Sequence, residues 1–421
     1  MRVRLAYGTS GLEVTLPDRN VAVIRPEHPQ GIDNELEAVR EALRNPIGCA
    51  PLRDSVKATD TVVIVFPDGT RAMPLRRVLP PLLAELSHVP RERIALLNAL
   101  GTHRPNTHDE LVSMLGEDVV AGYRILQHDC DDRQQLTRVG TLSSGEPLFL
   151  NRTYVEASFR IVTGLIEPHF FAGFSGGPKA ILPGLAAREN VIQSHAADLI
   201  AHPDATWCIT DGNPVFERML EAARLAPPQF CLNVSVNRER ALTGVFAGEL
   251  VAAHSQGAAF VGAQCRRRVD RYFDIVLTSN SGFPLDQNLY QAVKGMSAAA
   301  RVVREGGAII VAAECRDGIP AHGNYGRLLK LRGTPAELLA LIRTPGFVMS
   351  DQWQVQIQAQ VQQRARVYVK SDYLSESDIR DAKLLPCVSI EDTLAQLLAE
   401  YGPDAAICVL PEGPETVPYV G

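Results

Sequence analysis

Thr61-Val62-Val63-Ile64-Val65-Phe66 decides the fold class: after Thr61 every side chain is apolar and most are β-branched. The run has strand length, and its lack of alternation marks a strand covered on both faces, as in a parallel sheet sandwiched by helices. It stops at Pro67-Asp68-Gly69-Thr70-Arg71, a tight polar turn. Ile94 to Leu100 repeats the pattern and leads into Gly101-Thr102-His103-Arg104-Pro105, and Arg160 to Ile166 leads into Glu167-Pro168-His169. Helix-like stretches separate the runs, so the class is α/β. In open parallel sheets ligands bind beyond the carboxyl ends of the strands, and the three polar clusters are expected to converge on one crevice.

Further along, Asp274 to Thr278, Gly307 to Val311 and Ala365 to Val369 are again strand-like with helical segments between them, and Ala405 to Leu410 could finish either domain. The basic stretch Gln264 to Arg271, with Arg266-Arg267-Arg268, reads as a solvated connector and sets the boundary. The expectation is an N-terminal α/β domain over 1–268, possibly completed by 402–421, and a smaller α/β domain over 269–401. Each would hold a mostly parallel sheet flanked by helices, with the active site in the interdomain cleft. Thr107 and Glu110 form a capping-box signature, which puts His103 on the preceding loop and His108 in the first helical turn.

The 421 residues are 46% hydrophobic and carry 42 basic against 48 acidic side chains, a net charge of -6 that disfavours nucleic acid and anionic lipid as partners. No apolar run reaches membrane-span length, and the N-terminus alternates like a strand and lacks a signal-peptide pattern. A cytoplasmic location is the expectation. The eight cysteines are dispersed without a Cys-x-x-Cys pair and read as reduced core thiols.

Chemistry concentrates in Glu167-Pro168-His169-Phe170-Phe171-Ala172-Gly173-Phe174-Ser175-Gly176-Gly177-Pro178-Lys179, followed by His195. Gly176 and Gly177 permit close approach of a ligand to the main chain, and Pro178 stiffens the chain before a poised amine. The run is not a P-loop, because Pro178 precedes the lysine and Ala180 follows it, and no Gly-x-Gly-x-x-Gly turn follows the early strands. His103 and His169 stand beside glycine and proline at element ends, and His195 follows Lys179 by sixteen residues; these three are the candidate histidines. Asp68 and Arg71 flank a turn suited to a phosphate or carboxylate. Gln291 and Lys294 share one face of the helix-like stretch 288–303, and Trp353 is a candidate pocket wall.

These motifs, Asp68-Gly69-Thr70-Arg71, Gly101 to Pro105, Pro168-His169 with Gly173 to Lys179, His195, and Gln291-Ala292-Val293-Lys294, resemble the nickel-dependent lactate racemase family in order and spacing over nearly the whole chain. The resemblance implies a racemase or epimerase of 2-hydroxy acids that works by hydride abstraction to, and return from, a nickel-pincer nucleotide. This cofactor is a pyridinium mononucleotide whose sulfur groups and ring carbon grip nickel. By the same resemblance Lys179 tethers the cofactor through a thioamide, His195 is the protein ligand to the metal, and His103 and His169 are the paired acid/base residues. Asp68, Thr70, Ser175, Gly176 and Gly177 would lie beside the cofactor. Arg71, Gln291, Lys294, Tyr290 and Trp353 would meet the substrate, with cofactor-building enzymes as partners. Phe170, Phe171, Phe174 and Tyr290 suggest an apolar wall that favours a small aliphatic acid such as lactate. Competing readings are pyridoxal phosphate on Lys179, a hydrolytic metal on the histidines, and a non-enzymatic carrier of the nickel cofactor.

Overall fold

The strand expected at Thr61–Phe66 runs Val62–Pro67 in the computed structural model, which describes residues 1–69, 73–321 and 323–421. Its first five residues are buried, as uniform apolarity requires of a central parallel strand. By packing, the chain divides into two units.

The unit of His28–His195 and Pro203–Gln264 is built on a six-stranded sheet. In spatial order its strands are Leu242–Gly248, Phe230–Val236, Phe159–Leu165, Val62–Pro67, Ile94–Ala99 and Arg124–Gln127. All neighbours are parallel except the first pair, which is antiparallel. The chain leaves Val62–Pro67 towards Ile94–Ala99 on one side and later returns through Phe159–Leu165 on the other, so the strand order reverses at Val62–Pro67. A crevice opens at such a reversal, outside the carboxyl ends. Ile64 and Phe66 from the sheet pack with Leu75, Leu79 and Leu82 from the helix Leu75–Glu85 in the main core. The capping box forms as read: Thr107 accepts the Glu110 amide and Glu110 reaches back to Thr107.

The other unit comprises Met1–Glu27, Ala196–His202 and Cys265–Gly421. Its sheet runs Leu385–Pro386, Ala365–Lys370, Val303–Ala312, Phe273–Ser279, Ile407–Leu410 and Val21–Val23, parallel throughout. Ile407–Leu410, which the sequence left free to finish either domain, pairs with Phe273–Ser279. The first 27 residues belong here as well, because Val21–Val23 completes this sheet's edge. The arginine cluster is not a solvated connector: Arg266–Val269 is a strand, paired in parallel with Val417–Val420. Its charges stay compatible with pairing because Arg267 bonds the Arg25 carbonyl and Arg266 lies over the Tyr419 ring.

All eight cysteines are free thiols; Cys49 is exposed and Cys208 partly so, which corrects their reading as core residues, while the other six are buried. Among the described residues no helix is long and apolar enough to cross a membrane.

Candidate active site

Three loops of the first unit leave the carboxyl ends of neighbouring strands. Asp68 follows Val62–Pro67, His103 follows Ile94–Ala99, and His169 follows Phe159–Leu165. His103 Nδ1 lies 2.5 Å from Asp68 Oδ2, with the carboxylate buried and the imidazole half-exposed. A carboxylate can only accept, so the neutral ring carries its proton on Nδ1 and keeps the Nε2 lone pair for a ligand. Gly101, at φ +56°, donates its N–H to the Gly184 carbonyl at 3.0 Å, fastening the His103 loop to the segment after Lys179. A side chain at Gly101 would strain the backbone at this positive φ, although it would meet Pro183 only at ordinary contact distance.

His169 is buried and pairs with Gly173 in a two-residue hairpin. Its Nδ1 accepts the Ala172 N–H at 3.2 Å, which places the neutral ring's proton on Nε2. The two histidines therefore rest in opposite tautomers. Phe171 is the hub beside them: its ring meets His169 edge-on at 4.5 Å, His195 edge-on at 5.1 Å, and has Lys179 Nζ at 5.9 Å. One amine and two imidazoles thus gather around a single aromatic ring.

His195 ends the helix Arg188–Ser194 and is fully enclosed. Its Nδ1 donates to the Val191 carbonyl at 2.9 Å, so the lone pair is on Nε2, the usual state of a metal-binding imidazole. Burial first, and then the nearby Lys179 charge, push its pKa down to about 3 against the opposing Val191 bond, so the ring stays neutral across the physiological range.

Lys179 sits in the short turn Gly177–Ala180, which packs against the strands Val62–Pro67 and Phe159–Leu165. Ser175 spends its hydroxyl within the chain, on the Leu165 carbonyl at 2.7 Å and the Glu167 amide at 3.0 Å. Gly176 and Gly177 both have positive φ, and an added Cβ would meet Asn233 Oδ1 at 2.9 Å or the His254 ring at 2.5 Å. Asn233 and His254 were missed by sequence reading. Their signals were a lone amide within the apolar strand Phe230–Val236 and a lone imidazole in the apolar helix Leu250–Cys265. Phe170 and Phe171 are buried, and Phe174 packs with Ile166, Phe246 and Val261 in a core cluster.

The remaining candidates belong to the second unit, apart from Thr70 and Arg71, which lie outside the described residues. Gln291 and Lys294 occupy the partly exposed stripe of the helix Leu289–Ala300, whose N-terminus is capped by Asn288 on the Gln291 amide. Trp353 is buried and donates its indole N–H to the Tyr290 hydroxyl at 3.1 Å, while Tyr290 meets Tyr325 edge-on at 5.5 Å.

Residues 7–208 match the lactate racemase N-terminal domain and residues 269–417 the lactate racemase C-terminal domain. The chain belongs to the lactate racemase family. It is 35% identical to the lactate racemase of Thermoanaerobacterium thermosaccharolyticum over 98% of this chain and 97% of that one. With the lactate racemase of Lactiplantibacillus plantarum it shares 37% over 98% of each. The solved lactate racemase apoprotein of T. thermosaccharolyticum superposes with a TM-score of 0.93 at 34% identity, over 99% of this chain and 100% of that one. A Thermotoga maritima protein at 19% identity, covering 92% of this chain and 98% of its own, shares the fold with a TM-score of 0.72.

Proposed function

We propose that this chain interconverts the enantiomers of lactate, or of a closely similar small 2-hydroxy acid, with a nickel-pincer nucleotide carried on Lys179. The observation that carries the reading is the gathering of Lys179, His169 and His195 around Phe171, with His103 fastened to the same segment through Gly101 and Gly184. The names of the relatives supply the substrate class.

The residues fit the group. His195 offers a buried, neutral Nε2 whose orientation is fixed by Val191, a donor that suits nickel alongside sulfur. Lys179 supplies the tethering amine, and Asp68, Thr70, Ser175, Gly176 and Gly177 would border the nucleotide. When bound, the group supplies a hydride acceptor and donor for the substrate's C2, so that a weakly acidic C–H bond need not lose a proton.

The side chains of the protein handle the other proton. His103, with Nδ1 held by Asp68, presents Nε2 as the base for the substrate hydroxyl. His169 rests with its proton on Nε2 and meets the substrate oxygen as a donor. To serve as base for the opposite enantiomer it must carry its proton on Nδ1 and release the Ala172 contact. Arg71, Gln291 and Lys294 would orient the carboxylate and hydroxyl, so that the keto acid turns without leaving. Tyr290 and Trp353 would line the side-chain pocket.

Chain produced together with the cofactor-building enzymes should carry stoichiometric nickel and a sulfur-rich adduct on Lys179, and should take either enantiomer of lactate to the racemate, followed by circular dichroism. A phosphopyridoxyl adduct on Lys179, or loaded protein that leaves both enantiomers untouched, would overturn the reading.

A further inference from the structure

The turn that presents Lys179 starts on Gly176, which has no side chain to cap it, and a turn of four residues holds itself weakly. Its restraints come from elsewhere in the unit. The Gly177 N–H donates to Asn233 Oδ1 at 3.1 Å. Asn233 is buried, and its Nδ2 donates to Cys231 Sγ at 2.9 Å, which fixes the direction of Oδ1. From the helix Leu250–Cys265, His254 Nε2 donates to the Ser175 carbonyl at 3.0 Å. The same imidazole fills the space a side chain at Gly177 would need and stacks on Phe216 at 5.2 Å and 25°. Burial lowers its pKa to about 4, so it remains a neutral donor and adds no second cation beside the turn. Gly164 completes the arrangement, because a Cβ there would stand 2.9 Å from both Gly176 Cα and Asn233 Oδ1.

We propose that Asn233 and His254 are positioning residues that grip the 175–179 turn from two sides, and that attachment of a group to Lys179 depends on this grip. The inference rests on the reading of Lys179 as the tethering residue. Neither residue touches the reacting atoms. Each acts by fixing a backbone group, Asn233 the Gly177 amide and His254 the Ser175 carbonyl, and with them the point from which the lysine side chain extends.

The test uses the full chain in two forms. Cofactor-free chain is acetylated with a limiting amine-reactive ester, and each lysine's rate is read by peptide mass spectrometry. Chain produced with the cofactor-building enzymes is assayed for the fraction of Lys179 that carries the adduct. His254→Phe keeps a ring against Gly177 and removes the donor, whereas His254→Gln keeps a donor and removes the ring; Asn233→Leu removes the acceptor. The expected result is a several-fold change in Lys179 acetylation in His254→Phe and Asn233→Leu, other lysines unchanged, with a several-fold loss of adduct and substantial rescue in His254→Gln. Wild-type acetylation and loading in both His254→Phe and Asn233→Leu would overturn the proposal, and so would equal losses in His254→Phe and His254→Gln, the mark of mere packing. If wild-type chain takes no adduct while Lys179 acetylation still follows His254, the tethering role fails and the grip on the turn stands.

Discussion

Both units are built on six-stranded sheets, one with an antiparallel edge and one parallel throughout, and they differ in what stands beyond the strand ends. In the first unit, the residues that follow three neighbouring strands bring acid, base and amine together: His103 on Asp68, and the Lys179 amine with two imidazoles around Phe171. In the second unit, polar side chains after the strand ends bond backbone groups of other loops. Ser279 Oγ bonds the Pro411 carbonyl at 2.7 Å, and Asn280 Oδ1 accepts the Gly295 amide at 2.9 Å. Asp286, fully buried, accepts the amides of Gly8 at 2.7 Å and Glu314 at 3.1 Å. A polar cluster beyond a parallel strand therefore reads as a site where it gathers an amine, imidazoles and a carboxylate, and as a loop joint where its side chains meet only backbone groups.

Substitutions that break this contrast have graded consequences. His103→Ala and His169→Ala should each lower kcat by roughly 10²- to 10⁴-fold, the usual worth of a positioned acid or base, while the Lys179 adduct and nickel content stay at wild-type levels. Loss of nickel in either variant would move that histidine from proton transfer to metal binding. Asp68→Asn should cost less, on the order of 10-fold to 10²-fold, because it disturbs the tautomer of His103 and leaves the imidazole in place. Since the equilibrium constant of a racemisation is one, kcat/KM must fall equally for both enantiomers. The asymmetry should appear in kcat and KM taken separately, and identical kcat losses in both directions would argue against a special tie between Asp68 and His103.

Stability against pH should separate the units in sign. His254, buried neutral, has a folded pKa depressed from 6.5 to about 4, so its contribution is full above the unfolded value and is lost as the pH falls through that window. That shift corresponds to about 3 kcal/mol, and His254→Gln should flatten the acid side of a chemical-denaturation profile by an amount of that order. Asp286 has the opposite slope. Burial raises its carboxyl above the ordinary carboxylate range, so its contribution is full below the unfolded pKa and is lost as the pH rises through the folded one. Asp286→Asn should therefore melt higher relative to wild type at pH 7 than at pH 4, and a difference independent of pH would show that the carboxyl does not titrate in the fold.

The sequence made the parallel sheets legible because their strands are short, wholly apolar and punctuated by polar turns. It made Lys179 and His169 legible because glycine and proline crowd around them, and His195 legible as the histidine that follows them closely in the chain. What it hid depends on long-range partners. Val21–Val23 reaches its sheet only through Ile407–Leu410, and the arginines of Arg266–Val269 become a strand only beside Val417–Val420. The alternation Gln352-Trp353-Gln354-Val355-Gln356-Ile357-Gln358 imitates a strand, yet it is a buried helix, because Gln354, Gln356 and Gln358 donate their amides to the carbonyls of Tyr290, Ala197 and Ala382. Asn233 and His254 escaped for the same reason: a polar residue in a largely apolar element reveals its partner only in three dimensions.

The central claim is that the histidines move only the hydroxyl proton and never remove the hydrogen at C2. Racemisation of one lactate enantiomer bearing deuterium at C2, in ordinary water with cofactor-loaded protein, tests this directly by mass spectrometry of the product pool. Deuterium should remain on C2 in both enantiomers as optical activity vanishes. Its replacement by solvent hydrogen at the rate of inversion would mean that a base takes the C2 proton, and the account would be wrong.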